Sequence, residues 1–209
     1  AAFSRRDFDA LLSDVNSLQL AAGRQSSLLP FDSLGLPVSP EWRRLVAEKH
    51  AEELSEFSRA VPEPEPPLHG RGADKLRVGY ICYDFNNHPT AHLAEGLFLW
   101  HNLTERVVVD AYNYGKNDNS TYRENIVRLV GGLESSGGRF VELSHLGHDE
   151  SASKLKADLR PNVLVDMQGF TLGGRPEITA RRVAPIQVNY LIFPGTSGAS
   201  FMDYIVGDR

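Results

Sequence analysis

Asp84 and His88 stand four residues apart in Asp84-Phe85-Asn86-Asn87-His88-Pro89-Thr90, directly after the apolar run Leu76 to Tyr83. A carboxylate so placed orients an imidazole and supports its basicity, and an imidazole working near neutral pH suits removal of a proton from an alcohol. The same residues also suit a structural part, with Asp84 capping the next helix and His88 packed in a turn. His88 and His92 have the i, i+4 spacing of a metal pair, but HPTAH lacks the Glu of HExxH and brings no third ligand, so no metal is expected. A second constellation, Pro194-Gly195-Thr196-Ser197-Gly198, offers flexible backbone, exposed amides and two hydroxyls to phosphate or sugar oxygens, or else forms a plain tight turn. Gly169-Phe170-Thr171-Leu172-Gly173-Gly174-Arg175 is another glycine-rich loop whose Arg175 is available to an anion, though it matches neither GxGxxG nor the Walker pattern. Asp7 and Asp9 spell DxD on a helical stretch, where i and i+2 do not face together, and read as a solvated face.

The elements that must position these residues are legible in the apolar periodicity. Leu76 to Tyr83, Val107 to Tyr114, Phe140 to Leu143, Val163 to Met167, Pro185 to Phe193 and Asp203 to Val206 read as strands. Helices are expected over Thr90 to Trp100, Thr121 to Val130 and Glu150 to Leu159. Strands alternating with helices of about ten residues imply right-handed βαβ units and a mostly parallel, Rossmann-like α/β sheet. The carboxyl edge of such a sheet is where ligands bind, and Asp84 and His88 fall there. Before the sheet come two amphipathic helices. One carries Phe8, Leu11, Leu12, Val15 and Leu18; the other starts near Ser39-Pro40-Glu41 and carries Trp42, Leu45, Val46, Leu54 and Phe57. Val61-Pro62-Glu63-Pro64-Glu65-Pro66-Pro67 is stiff and donor-poor, a spacer. The expected division is a helical lead-in over 1–60, a Pro-rich linker over 61–75 and the Rossmann-like lobe over 76–209.

Composition bounds the rest. A chain of 209 residues with 41% hydrophobic residues can bury one good core, and a net charge of -5 gives no basic stripe for nucleic acid. No apolar run reaches the roughly 20 residues of a membrane span, and no signal-peptide centre is present near Ala1, so neither membrane nor secretion is expected. The single cysteine, Cys82, sits in an apolar strand pattern as a core residue and excludes an internal disulfide. Cytoplasm or nucleus is the expected location. Ala1 is not Met and Arg209 follows directly on a strand-like run, so both ends read as cuts within a longer protein.

LRVGYICYDFNNHPTAHL, VLVDMQGFTLGGRPE and RRVAPIQVNYLIFPGTSGASFMDYIVGD together resemble the amino-terminal half of the catalytic region of protein O-GlcNAc transferases, and WRRLVAEKH resembles the helix leading into it. The resemblance implies the amino-terminal lobe of a two-lobed GT-B fold, with a second lobe, and tetratricopeptide repeats upstream that select protein substrates. It implies inverting, metal-independent transfer of GlcNAc from UDP-GlcNAc to Ser or Thr hydroxyls, with no other cofactor. By motif position His88 is the catalytic base or sugar-site histidine and Asp84 its supporting carboxylate. A donor phosphate oxygen is the other base considered for this family. Pro89 and Thr90 line the sugar pocket, Leu191 touches the sugar, and Pro194, Gly195, Thr196, Ser197 and Gly198 continue the cleft wall. Two positions depart from the pattern. Ile192 stands where Gly or Ala is common and crowds the sugar unless it turns into the core, and Pro40 stands where animal members carry a histidine proposed for catalysis. Alternatives are a protein O-fucosyltransferase of the same fold, or a catalytically silent homologue acting as a protein-binding module.

Overall fold

The computed structural model describes residues 5–24, 26–56, 75–102, 107–131 and 137–208. The Pro-rich spacer Val61 to Pro67 and Phe57 lie outside them. Three helices come first: α1 (Arg5–Ala21), the single turn α2 (Pro30–Ser33) and α3 (Pro40–Glu56). Pro40 opens α3 with the φ a first turn needs, and the Ser39 hydroxyl accepts the Trp42 N–H at 3.2 Å, capping the helix. On α1 the inward residues are Asn16 and Leu20, while Leu11, Val15 and Leu18 of the expected apolar face stay exposed. Asn16 Oδ1 instead accepts the Leu28 N–H and the Ser26 hydroxyl, closing the turn after α1.

The sheet is built from β1 (Leu76–Cys82), β2 (Val107–Asn113), β3 (Phe140–Glu142), β4 (Val163–Asp166), β5 (Ile186–Tyr190) and β6 (Tyr204–Val206). Its order is β3-β2-β1-β4-β5-β6, and every pairing is parallel. The helices α4 (Pro89–Asn102) and α5 (Thr121–Gly131) follow β1 and β2, and α6 (His148–Lys154), extended by a π-helical turn over Leu155–Leu159, precedes β4. A further short helix, α7 (Pro176–Thr179), follows β4. Strand alternation sorts the side chains onto two faces. Tyr80, Cys82, Val109, Ala111, Val165 and Val188 meet Phe98, Ala91 and Ala94 of α4 and Ile126 and Val130 of α5. Ile81, Tyr112 and Leu164 meet Ala152, Leu155, Leu159 and Ile178 on the other side. The chain therefore winds outward from β1 on one face, returns, and winds outward again on the other. Its order reverses between β1 and β4, the place where doubly wound sheets bind ligands.

The expected strands are one to four residues longer than the ladders: most of the excess lies at the carboxyl end, where the chain turns into the loops, and Pro185 and Asp203 are the excess at the amino ends of β5 and β6. The helix expected over Glu150 to Leu159 ends as a π turn, closed by the Arg160 N–H on the Leu155 carbonyl at 2.8 Å with Arg160 left-handed at φ 46. No helix joins β5 to β6; residues 191–203 make the parallel crossover as a loop. Buried polar groups hold that loop. Gln187 Nε2 donates to the carbonyls of Thr179 and Phe201, and Asp203 Oδ2 accepts the Gln187 N–H and pairs with Arg182, all at 2.7–2.8 Å.

The lead-in does not stand off from the lobe. Ala47, Ala51 and Leu54 of α3 are buried against Phe170, Ala180, Ala199 and Phe201, with Phe193 and Met202 beside them. Contact is close enough to fix one residue type: a Cβ on Gly198, whose φ is +59, would lie 2.6 Å from the Glu48 nitrogen. No described helix is long and apolar enough to cross a membrane.

Candidate functional site

The β1–α4 turn brings Asp84, His88, Pro89 and Thr90 together at the carboxyl edge of the sheet. Pro89 occupies the first position of α4, so the residue before it becomes the cap. His88 takes that part through its ring: the Thr90 N–H points at Nδ1 at 3.3 Å, and the Thr90 hydroxyl lies 3.0 Å from the same atom. A backbone N–H can only donate, so Nδ1 is an acceptor and the neutral ring carries its proton on Nε2. Nε2 has no hydrogen bond among the described residues, and the side chain is 44% exposed. Nδ1 lies 3.6 Å from Asp84 Oδ2, beyond hydrogen-bond range, so Asp84 influences the ring through its charge rather than by a shared proton.

Asp84 is buried and is held from β4 instead. Gln168 Nε2 donates to Asp84 Oδ2 at 2.9 Å and to the Leu172 carbonyl at 3.0 Å, while Gln168 Oε1 accepts the Tyr83 N–H and the Cys82 thiol at 3.3 and 3.2 Å. The turn carrying Gln168 is shaped by Asp166, whose Oδ1 accepts the N–H groups of Gln168 and Gly169 at 2.9 and 3.0 Å. Burial pushes the Asp166 carboxyl above the usual range, and those two amides partly offset it. Burial also pushes the Cys82 thiol well up, away from nucleophile or metal chemistry, as the core reading of that residue expects.

The second group surrounds the end of β5. Leu191 has φ +84, a left-handed conformation that a branched side chain rarely adopts, and the reversal presents it to solvent, 38% exposed. Ile192 resumes the alternation of Val188 and Tyr190 and packs with them on the α4 face of the core. The crowding expected of a branched residue at this position is therefore directed inward. A cleft of about 690 Å³ is lined by Tyr190, Leu191, Phe193, Pro194 and Gly195 on one side and Ile205 and Val206 on the other. Thr196, Ser197 and Gly198 line a smaller neighbouring hollow. Pro40 and Arg43 of α3 reach the back of the same loop, in a pocket shared with Phe193 to Thr196. Pro40 thus stands against the Pro194–Thr196 wall, and it offers no proton.

The two groups sit side by side at one edge without touching. β1 and β5 are separated by β4 alone, so their carboxyl ends lie roughly 10 Å apart at the usual strand spacing. The link is β4's turn, since Gln168 holds Asp84 and the next residue, Gly169, lies so close to Phe193 that a Cβ there would be 2.8 Å from it. None of the residues lining the 690 Å³ cleft comes from the β1–α4 turn. Arg175 is engaged within the fold: its guanidinium bonds the Leu143 and Leu146 carbonyls at 3.4 and 3.0 Å and lies over Tyr114. Burial lowers its pKa. Among the described residues there is no group of three or more His, Cys, Asp or Glu fit to hold a metal.

Sequence reasoning did not find Gln168, Tyr190, Ile205 or Val206. Gln168 lies in an ordinary strand-to-loop stretch, and only the adjacency of β1 and β4 gives it meaning. Tyr190 is the last residue of β5, a strand whose end the apolar pattern overran.

A family model described as Glycosyl transferase family 41 matches residues 6–209. A probable UDP-N-acetylglucosamine–peptide N-acetylglucosaminyltransferase of Arabidopsis thaliana is 32% identical over 97% of this chain and 21% of its own length. The UDP-N-acetylglucosamine–peptide N-acetylglucosaminyltransferase of Caenorhabditis elegans is 36% identical over 91% of this chain and 16% of its own length. The chain thus spans about a fifth of the length of the curated relatives it matches. A point mutant of Thermobaculum terrenum O-GlcNAc transferase superposes over 98% of this chain and 35% of its own, with a TM-score of 0.66 at 24% identity, a likeness of fold.

Proposed function

This chain belongs to glycosyl transferase family 41, and on that premise we propose that it forms one lobe of an enzyme transferring GlcNAc from UDP-GlcNAc to Ser or Thr hydroxyls of intracellular proteins. The acceptor oxygen attacks the anomeric carbon opposite the departing UDP, so configuration inverts, and no metal takes part. The observation that carries the reading is the capped imidazole of His88. With Nδ1 occupied by Thr90, the exposed Nε2–H is a donor aimed from the sheet's carboxyl edge, the place where a sugar or phosphate oxygen is bound in such folds. His88 then binds the donor and stabilises charge developing on it, rather than accepting the hydroxyl proton. That proton goes to a phosphate oxygen of the donor as the new C–O bond forms and the old one breaks. Asp84 supplies a fixed negative charge beside the ring. Leu191 and the Pro194–Gly198 wall take the sugar face, with Pro89 and Thr90 framing the turn.

The test is transfer of labelled GlcNAc to a Ser/Thr-rich peptide by the whole protein that carries this chain, with chelator present and GDP-fucose as a parallel donor. Chelator-resistant transfer from UDP-GlcNAc is expected. Transfer from GDP-fucose instead moves the protein to the fucosyl reading, and transfer from neither, in folded protein, to a silent binding module. In an active protein, His88→Asn keeps a helix cap but removes Nε2–H, and kcat/KM is expected to drop roughly 10²–10³-fold, as when one oxyanion donor is lost. Unchanged turnover refutes the donor role.

A further inference from the structure

We propose that Gln168 is the positioning residue of this site, the group that aims the Asp84 carboxylate at His88. The proposal rests on the Asp84–His88 reading given above. Gln168 is 1% exposed and follows β4, the strand adjacent to β1 at the reversal of the sheet. A primary amide has two donor hydrogens and two acceptor lone pairs, and all four are used here. The donors go to Asp84 Oδ2 and the Leu172 carbonyl, and the acceptor takes the Tyr83 N–H and the Cys82 thiol. Two of these partners settle which end is which, since a carbonyl cannot donate and a backbone N–H cannot accept. The amide can be neither flipped nor rotated without orphaning buried groups.

The consequence falls on Asp84. Asp84 Oδ2 is both the atom bonded to Gln168 and the atom 3.6 Å from His88 Nδ1, so the amide fixes the distance at which the negative charge acts on the ring. His88 has no hydrogen bond to Asp84, so it does not itself hold that carboxylate in place. The residue that does so is buried, is not among the residues lining the clefts described above, and reaches Asp84 from the neighbouring strand's end, 84 positions away in sequence. Gln168 also ties the Leu172 carbonyl, so one amide sets both the carboxylate and the glycine-rich turn packed on Phe193.

A double-mutant cycle in the whole protein tests this, with kcat and the KM for UDP-GlcNAc measured for Gln168→Glu, Asp84→Ala and the pair, and thermal unfolding followed for each. Gln168→Glu keeps the length and the acceptors but sets a carboxylate against a carboxylate. It is expected to lower kcat roughly 10–100-fold, the range spanned by one hydrogen bond to a charged group, with KM unchanged. In the Asp84→Ala background the same change is expected to cost much less in kcat, because the carboxylate it positions is gone and only the tie to the Leu172 carbonyl remains to be lost. Equal losses in both backgrounds, or a loss confined to KM or to stability, overturn the positioning role while leaving the site reading intact. Full activity of Asp84→Ala overturns the site reading itself, and this proposal with it. If Gln168→Glu does not fold, Gln168→Met, of similar length and uncharged, is carried through the same cycle with the same expected and overturning results.

Discussion

At the scale of single residues, Ile192 and Leu191 show how one backbone angle decides which of two neighbouring side chains faces a cleft. The left-handed φ of Leu191 turns that side chain outward and lets Ile192 fall back into the alternation of β5, against the core. Ile192→Ala is therefore expected to cost stability, roughly 1–3 kcal/mol for a partly buried site against ~2–5 for a fully enclosed one, without changing sugar choice. The check is the urea midpoint together with rates on UDP-GlcNAc and UDP-GalNAc; a changed ratio of rates would show that Ile192 faces the sugar after all. Asp84 and His88 stand out in the sequence because a carboxylate and an imidazole four apart at a strand end are residue types that do chemistry, whereas Leu191 stands out only through the family resemblance. Gln168 does not, because a glutamine becomes informative only when its partners are known, and three of them, Asp84, Tyr83 and Cys82, lie on a different strand and its loop.

At the scale of elements, the long strands β1 and β2 were readable because Val, Ile and Tyr fill them and both faces are buried. The short helices α2 and α7, each a single turn opened by Pro, carry too few residues for any periodicity. The seat of α3 was only half legible: Val46 and Leu54 lie on the expected apolar side, but the other two buried residues are alanines, Ala47 and Ala51, and Ala47 meets the close approach of the Gly198 loop. His50 on α3 makes that seat sensitive to pH. Its ring meets Phe170 edge-on at 5.0 Å, and burial lowers its pKa below the ordinary 6.5, against the opposing pull of Glu53 and Glu177. The unfolded chain then holds more protons than the folded one below pH 6.5, so stability is full above that value and falls as pH drops toward the folded pKa. His101, likewise lowered by burial, acts in the same window. Thermal unfolding between pH 7.5 and 5.5 is expected to fall less for His50→Gln than for the unaltered chain, the difference isolating His50. Identical slopes would remove His50 from the account.

At the scale of the whole molecule, α3 of the lead-in and the loops after β4, α7 and β5 share one core at the back of the cleft wall. Removing residues 1–56 would uncover Phe170, Phe193, Ala199 and Phe201, the surface that α3 covers. The remaining chain is expected to bind a dye such as ANS and to associate at concentrations where the intact chain does not, because a contiguous apolar patch is left open. A shortened chain that is monomeric and dark to ANS would show that the lobe closes this surface by itself. Charge and composition show no basic stripe to suggest nucleic acid and hold nothing of this arrangement, since seating depends on which loops meet α3.

The central place of β1 also has a meaning in time. It is the first of the described strands of this sheet to be made, yet one of its two neighbours is β4, and Asp84 waits for an amide synthesised 84 residues later. At elongation rates of about 5–20 residues per second, that delay is roughly 4–17 s. During it the carboxylate has no Gln168, the inner edge of β1 has no β4, and a nascent chain stalled or cleaved in this interval holds His88 and Asp84 without the group that sets them. Completion of the Asp84–Gln168 contact therefore trails the emergence of Asp84 and His88 by that interval, wherever in the whole protein this stretch falls.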